Sequence, residues 1–128
     1  MRKYTVAAVL FLLALGLMEV RANEHSVPDI KQPKLLGKAA FGKLAYDKFC
    51  APCHGQNIAG TDQGPSFMSP VYNSRHHPDR AFFIAATQGA RAHHWQFGDM
   101  PPVDGVTEQQ IGMIVEYVRA MQNENGLF

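Results

Sequence analysis

The string Cys50-Ala51-Pro52-Cys53-His54 constrains this chain more than any other feature. It contains both of the chain's 2 cysteines, so a scaffold held by several disulfides is excluded. Thiols three residues apart on a helical turn share a face, and a histidine follows them directly. A thioredoxin-type redox pair wants a strand-then-helix context that the flanking sequence lacks. A zinc site wants more ligands, and although His76, His77, His93 and His94 exist, there is no second cysteine pair. A plain disulfide leaves the adjacent histidine without a role. C-x-x-C-H is the attachment signature of c-type haem, in which both thiols reach the two vinyl groups of one porphyrin. The imidazole of His54 then swings under the iron. This reading uses all three residues and is the one adopted.

The rest of the chain suits a small exported domain. Arg2 and Lys3 precede an apolar run from Val6 to Met18, well short of the about 20 residues a bilayer-spanning helix needs. Val20-Arg21-Ala22 then places small residues at the −3 and −1 positions of a signal-peptidase site. Residues 1–22 are therefore expected to be a signal peptide, with an uncleaved anchor helix as the alternative. The absence of cysteine in this stretch removes a lipid anchor. Residues 23–36 are polar, carry Pro28 and Pro33, and are expected to form an extended N-terminal arm. Residues 37–128 are expected to be a single haem domain.

At 128 residues the chain holds one domain at most, and its 46% hydrophobic content argues against disorder. The formal charge of +1 removes the electrostatic case for nucleic-acid binding. Without the leader, the lysines (Lys31, Lys34, Lys38, Lys43 and Lys48) all precede Cys50, and most of the acids follow it. A small domain has a thin core and often depends on a bound cofactor.

The periodicity is helical throughout. Gly42, Ala45, Tyr46 and Phe49 recur on one helical face. Residues 55–78 are rich in Gly, Pro, Ser, Asn and Asp, which is loop chemistry. A short helix is expected over 79–87, stopped by Gly89. The last helix is announced by a capping box, Thr107 with Gln110, and by Val106 before it. Ile111, Ile114, Val115 and Val118 hold its apolar face, and Gly126 lies beyond its end. No alternating strand pattern of useful length competes.

From about Gly37 to Met121 the chain resembles the class I c-type cytochromes. Attachment near the start of the domain fits that class, as do Gly42 and Tyr46, eight and four residues before Cys50. Ile114 and Tyr117 match the aliphatic-aromatic pair of the family's last helix. The resemblance implies an all-α fold of three or more helices wrapped around one covalently attached haem c, with the first and last helices crossing tightly. It also implies axial ligands. His54 would be one. Met100, in Gly98-Asp99-Met100-Pro101-Pro102, resembles the family's distal ligand, where prolines hold an extended backbone. Met68, His93 and His94 are the rivals. Gly64-Pro65 resembles the loop whose proline carbonyl accepts the proximal imidazole N–H. Trp95 resembles an indole that meets a haem propionate. Arg75, Arg91, His76 and His77 are also available to propionates, but the doubled histidines depart from the better-known members and stay unassigned.

His/Met ligation would raise the potential and leave no open coordination site. The expectation is thus a periplasmic one-electron carrier, not an enzyme, exchanging electrons with transient redox-protein donors and acceptors and spanning no membrane once the leader is gone. The alternatives are a ligand-binding or peroxidase-like haem protein with a labile Met100, and a dedicated cytochrome subunit of a periplasmic dehydrogenase or oxidase.

Overall fold

Two helices meet at a glycine, and the other described residues are arranged around that crossing. The computed structural model describes residues 29–128; the leader expected over 1–22 and the start of the arm, 23–28, lie outside the described residues. Four α-helices follow in order: α1 (Gly37–Phe49), α2 (Ala51–His54), α3 (Asp79–Gln88) and α4 (Glu108–Glu124). Short 3-10 turns occupy Gln56–Ile58 and Pro70–Tyr72. Among the described residues the one β-type pairing is an isolated bridge between Ala90 and Met100. The fold is all-α, as the periodicity predicts.

The buried face of α1 is Gly42, Ala45 and Tyr46, and that of α4 includes Ile111, Ile114, Val115, Tyr117 and Val118. Where they cross, a Cβ built on Gly42 would stand 1.8 Å from the Met113 carbonyl oxygen and 3.0 Å from Tyr117 Cβ. No side chain fits there, so glycine sets the interhelical distance. Tyr46 and Tyr117 pack beside it with ring centroids 5.2 Å apart. Ile58, Phe67 and Met121 complete the core.

The termini of α4 follow its sequence signals. Thr107 Oγ1 accepts from Gln110 N at 3.2 Å, and Gln110 Oε1 accepts from Thr107 N at 2.9 Å, a closed capping box. Past Glu124 the Asn125 side chain accepts from Lys31 N at 2.9 Å and donates to Lys31 O at 3.0 Å. Those two bonds tie the described part of the arm to the end of α4, while Ile30 and Leu35 pack on the core.

The long segment between α2 and α3 has little regular structure, and Arg119 of α4 supplies what secondary structure does not. Its guanidinium donates to Tyr72 O (2.7 Å), His77 O (2.6 Å), Gln122 Oε1 (2.8 Å) and Asp79 Oδ1 (2.9 Å). Gln122, fully buried, passes the connection on by donating to Phe67 O at 2.7 Å. One cation thereby satisfies two loop carbonyls and the start of α3, in the fork geometry that suits arginine and not lysine. The Asp79 carboxylate is largely solvent-exposed, so its ion pair adds little beyond positioning.

Two predictions follow from the crossing. Gly42→Ala, which gains helix propensity at an ordinary exposed helical site, should here destabilise by about 3 kcal/mol or more, because backbone must give way; denaturant unfolding measures it. The two core tyrosines should differ. Tyr46 Oη donates to Gly55 O (2.8 Å) and His54 O (3.2 Å), whereas the Tyr117 hydroxyl has no protein partner. Tyr46→Phe should cost about 1–2 kcal/mol and Tyr117→Phe close to nothing, read from paired thermal melts.

Candidate haem site

The attachment turn is built where α1 hands over to α2. Cys50 ends α1 with φ −115° and ψ −38°, and its carbonyl accepts from Cys53 N (3.1 Å) and His54 N (2.8 Å). Pro52 sits in the first turn of α2, where its missing N–H costs nothing. Cys50 is half-buried and Cys53 exposed, and they are not bonded to each other. Burial, helped by the neighbouring Cys53, pushes the Cys50 thiol up to about 12. That is the reverse of the lowered thiol pKa a catalytic redox pair requires. The geometry offers Cys50 as a neutral thiol, not a reactive thiolate.

His54 is buried, and its Nδ1 donates to the Pro65 carbonyl at 2.9 Å. A carbonyl only accepts, so the proton belongs on Nδ1 and Nε2 is left with its lone pair. Burial lowers the imidazole's affinity for a second proton, against the opposing effect of the Pro65 bond. The result is a neutral ring of fixed tautomer, the form that binds a metal. Phe67 stacks on it at 4.3 Å and 22°, and Tyr46 Oη holds the carbonyls just beyond it.

Both cysteines and His54 line a cavity of about 590 Å³, within the usual range for bound organic molecules. Met100 lines it as well. Among the described residues it is the one methionine that does: Met68 packs on the core instead, and Met121 is buried within it. Met100 is held from both sides, since its N–H donates to Ala90 O (2.8 Å) and its carbonyl accepts from Ala90 N (2.9 Å). That pairing depends on Gly89 (φ +80°), where a Cβ would come within 2.6 Å of Met100 O. Trp95 also borders the cavity and stacks on Tyr72 at 5.5 Å and 15°. His77, His93 and His94 border it too, whereas Arg75 does not.

The cavity is large for a domain this small, and α3 shows what it is for. This helix carries Phe82, Phe83, Ile84, Ala85 and Ala86, yet buries none of its residues. Phe82, Ala85 and Ala86 instead face the cavity, as do Ile111 and Ile114 of α4. Ile84 and Phe97 on its border are each 41% exposed. Phe82 reaches the edge of the core, but an apolar helix face left this open is unfinished packing. A flat apolar group with a metal at its centre completes it, with imidazole nitrogen and thioether sulfur among the walls. The residues fit a haem.

Sequence reasoning did not single out Phe67, Tyr72, Phe82 or Arg119. Phe67 and Tyr72 meet edge to face at 4.7 Å, and Phe82 joins them at 5.5 Å from Phe67. The available signal was two large aromatics inside a loop otherwise made of turn residues. Nothing local marked Arg119, three of whose four acceptors lie in the segment 72–79, 40 or more residues away in sequence.

No curated protein and no solved structure matches the chain. A family model described as Cytochrome c matches residues 39–122, which spans α1 through most of α4 and so includes the attachment turn, the cavity walls and the Met100 segment. The chain belongs to the cytochrome c family, haem-binding electron carriers whose haem c, with its iron, is attached covalently.

Proposed function

We propose that this cytochrome is a periplasmic one-electron carrier, shuttling electrons between redox proteins, with Cys50 and Cys53 as the covalent anchors and His54 and Met100 as the axial ligands. One observation carries the reading: the attachment turn and a single, backbone-clamped methionine border the same apolar cavity. The haem, when bound, would supply the one-electron chemistry, and a neutral thioether from Met100 together with the imidazole of His54 would favour its ferrous state.

The protein's own residues do the rest. Pro65 O fixes the tautomer of His54 and raises its basicity as a ligand. The Ala90 bridge presents the Met100 side chain at small entropic cost, because the backbone on either side is already ordered. Phe82, Ile111 and Ile114 keep water from the cavity, which limits the reorganisation that accompanies a change of charge. Trp95 is proposed to meet a propionate. Cys53, exposed at the cavity's border, marks the edge where an electron would leave, with Lys48 exposed nearby in sequence. Partners would touch there over a small area, below about 1,200 Å², so that complexes separate quickly.

The periplasmic assignment rests on the leader read in residues 1–22. No helix among the described residues is long and apolar enough to cross a membrane. An uncleaved protein, with Met1 at the amino terminus of the haem-loaded form, would reject it.

Two measurements test the site. Haem should stay with the polypeptide on a denaturing gel stained for peroxidase activity, and Cys50→Ala with Cys53→Ala should lose the stain; free haem from the unaltered protein refutes the anchors. Met100→Ala should abolish the near-infrared thioether-to-iron band of the ferric protein and lower its potential while haem remains attached. The reduced unaltered protein should bind carbon monoxide poorly and the variant readily. An unchanged band in the variant would move the ligand elsewhere, and ready carbon monoxide binding by the unaltered protein would favour a ligand-binding haem protein.

A further inference from the structure

Four imidazoles pack together beside the cavity, three of them on its border, and the proposed electron transfer uses none of them. His76 and His77 lie just before α3, and His93 and His94 lie on the loop between Gly89 and Met100. One ring nitrogen from each of His76, His77 and His94 falls within 4.8 Å of the other two. His76 Nε2 and His94 Nε2 stand 3.1 Å apart. Two ligands about 2.0–2.1 Å from one ion stand roughly 3 Å from each other, so this pair is already spaced for a shared metal. His93 packs alongside, with its ring centroid 4.3 Å from that of His94.

The hydrogen bonds decide what such a cluster prefers. His77 Nδ1 donates to Val71 O at 2.7 Å, and His93 Nδ1 donates to Arg91 O at 2.7 Å. Carbonyls only accept, so in each neutral ring the proton is used up and Nε2 keeps a bare lone pair. Between the facing nitrogens of His76 and His94 there is room for one proton at most. The cluster therefore presents more lone pairs than N–H donors. A haem propionate, the competing occupant, needs donors; a cation needs lone pairs. The Val71 carbonyl on the other ring nitrogen of His77 is also the usual support of a metal-bound histidine.

We propose that His76, His77 and His94 form a binding site for a divalent transition-metal ion of the kind that prefers imidazole, such as zinc or copper. His77 is half-buried and tied to Val71, and the exposed His76 and His94 close on the ion by side-chain rotation. The ion joins the turn before α3 to the loop that leads into Met100, two walls of one cavity, and so stiffens the haem's surroundings from outside the iron's own ligands.

Zinc chloride titrated into the chelator-treated, haem-loaded protein and followed by calorimetry tests this. One ion per chain is expected, with affinity at least tenfold weaker in His76→Ala and in His94→Ala. Zinc should also raise the melting temperature of the unaltered protein and leave that of the variants unmoved. The haem absorption spectrum should be the same in all three proteins. Absence of binding, or affinity unchanged by either substitution, overturns the site. A shifted haem spectrum in His94→Ala would assign that imidazole to the haem and overturn it as a separate site, whatever becomes of Met100.

Discussion

The close crossing of α1 and α4 at Gly42 is the constraint on which the other parts depend. With the Met113 carbonyl lying where a side chain on residue 42 would have to be, the two backbones approach as nearly as helices can. That approach buries Tyr46, whose hydroxyl reaches the carbonyls of His54 and Gly55. The attachment turn is thereby anchored to the helix that precedes it. Moving the helices apart would release Tyr46 first and the orientation of His54 with it. A packing contact between α1 and α4 thus governs the imidazole that faces the cavity.

The same economy explains why so small a domain leaves an apolar cavity of about 590 Å³ in its middle. Its protein core is a thin layer built mainly between α1 and α4, and α3 adds no fully buried residue to it, only Phe82 packed on its edge. The haem supplies the missing interior, so binding and folding free energy are shared between polypeptide and cofactor. A free cavity of that size would be costly, since lining atoms without partners lose their dispersion contacts. Covalent attachment makes the arrangement permanent.

Around the cavity, order in the irregular segments comes from polar anchors instead of helix. Arg119 holds the Tyr72 and His77 carbonyls, the Ala90 bridge holds Met100, and Asn125 holds the arm. Each is a point fixation of a loop by a group on, or adjoining, a well-ordered element. The histidine cluster occupies the gap between two of these fixations, which is where an added ion has the most to stiffen.

The chemistry was legible in the sequence because it is local. The Cys50 to His54 string, the capping box at Thr107 and Gln110, the glycine after α3 and the apolar face of α4 are each decided by neighbours within one or two turns, so spacing alone reports them. The all-α class follows from the same periodicities. Tertiary structure alone decided the relations between distant residues. The resemblance pointed to Gly42, but only the crossing shows that Met113 O occupies the space a side chain would need. Pro65, Met100 and Trp95 lie 11 residues or more from His54 in sequence, and no pattern between them dictates that they border one cavity. Phe67 on the His54 ring, Arg119 with the two loop carbonyls it holds, and four histidines from two loops brought within reach of one another depend on how long loops close. That closure depends on the sum of many packing contacts, and no residue spacing encodes it.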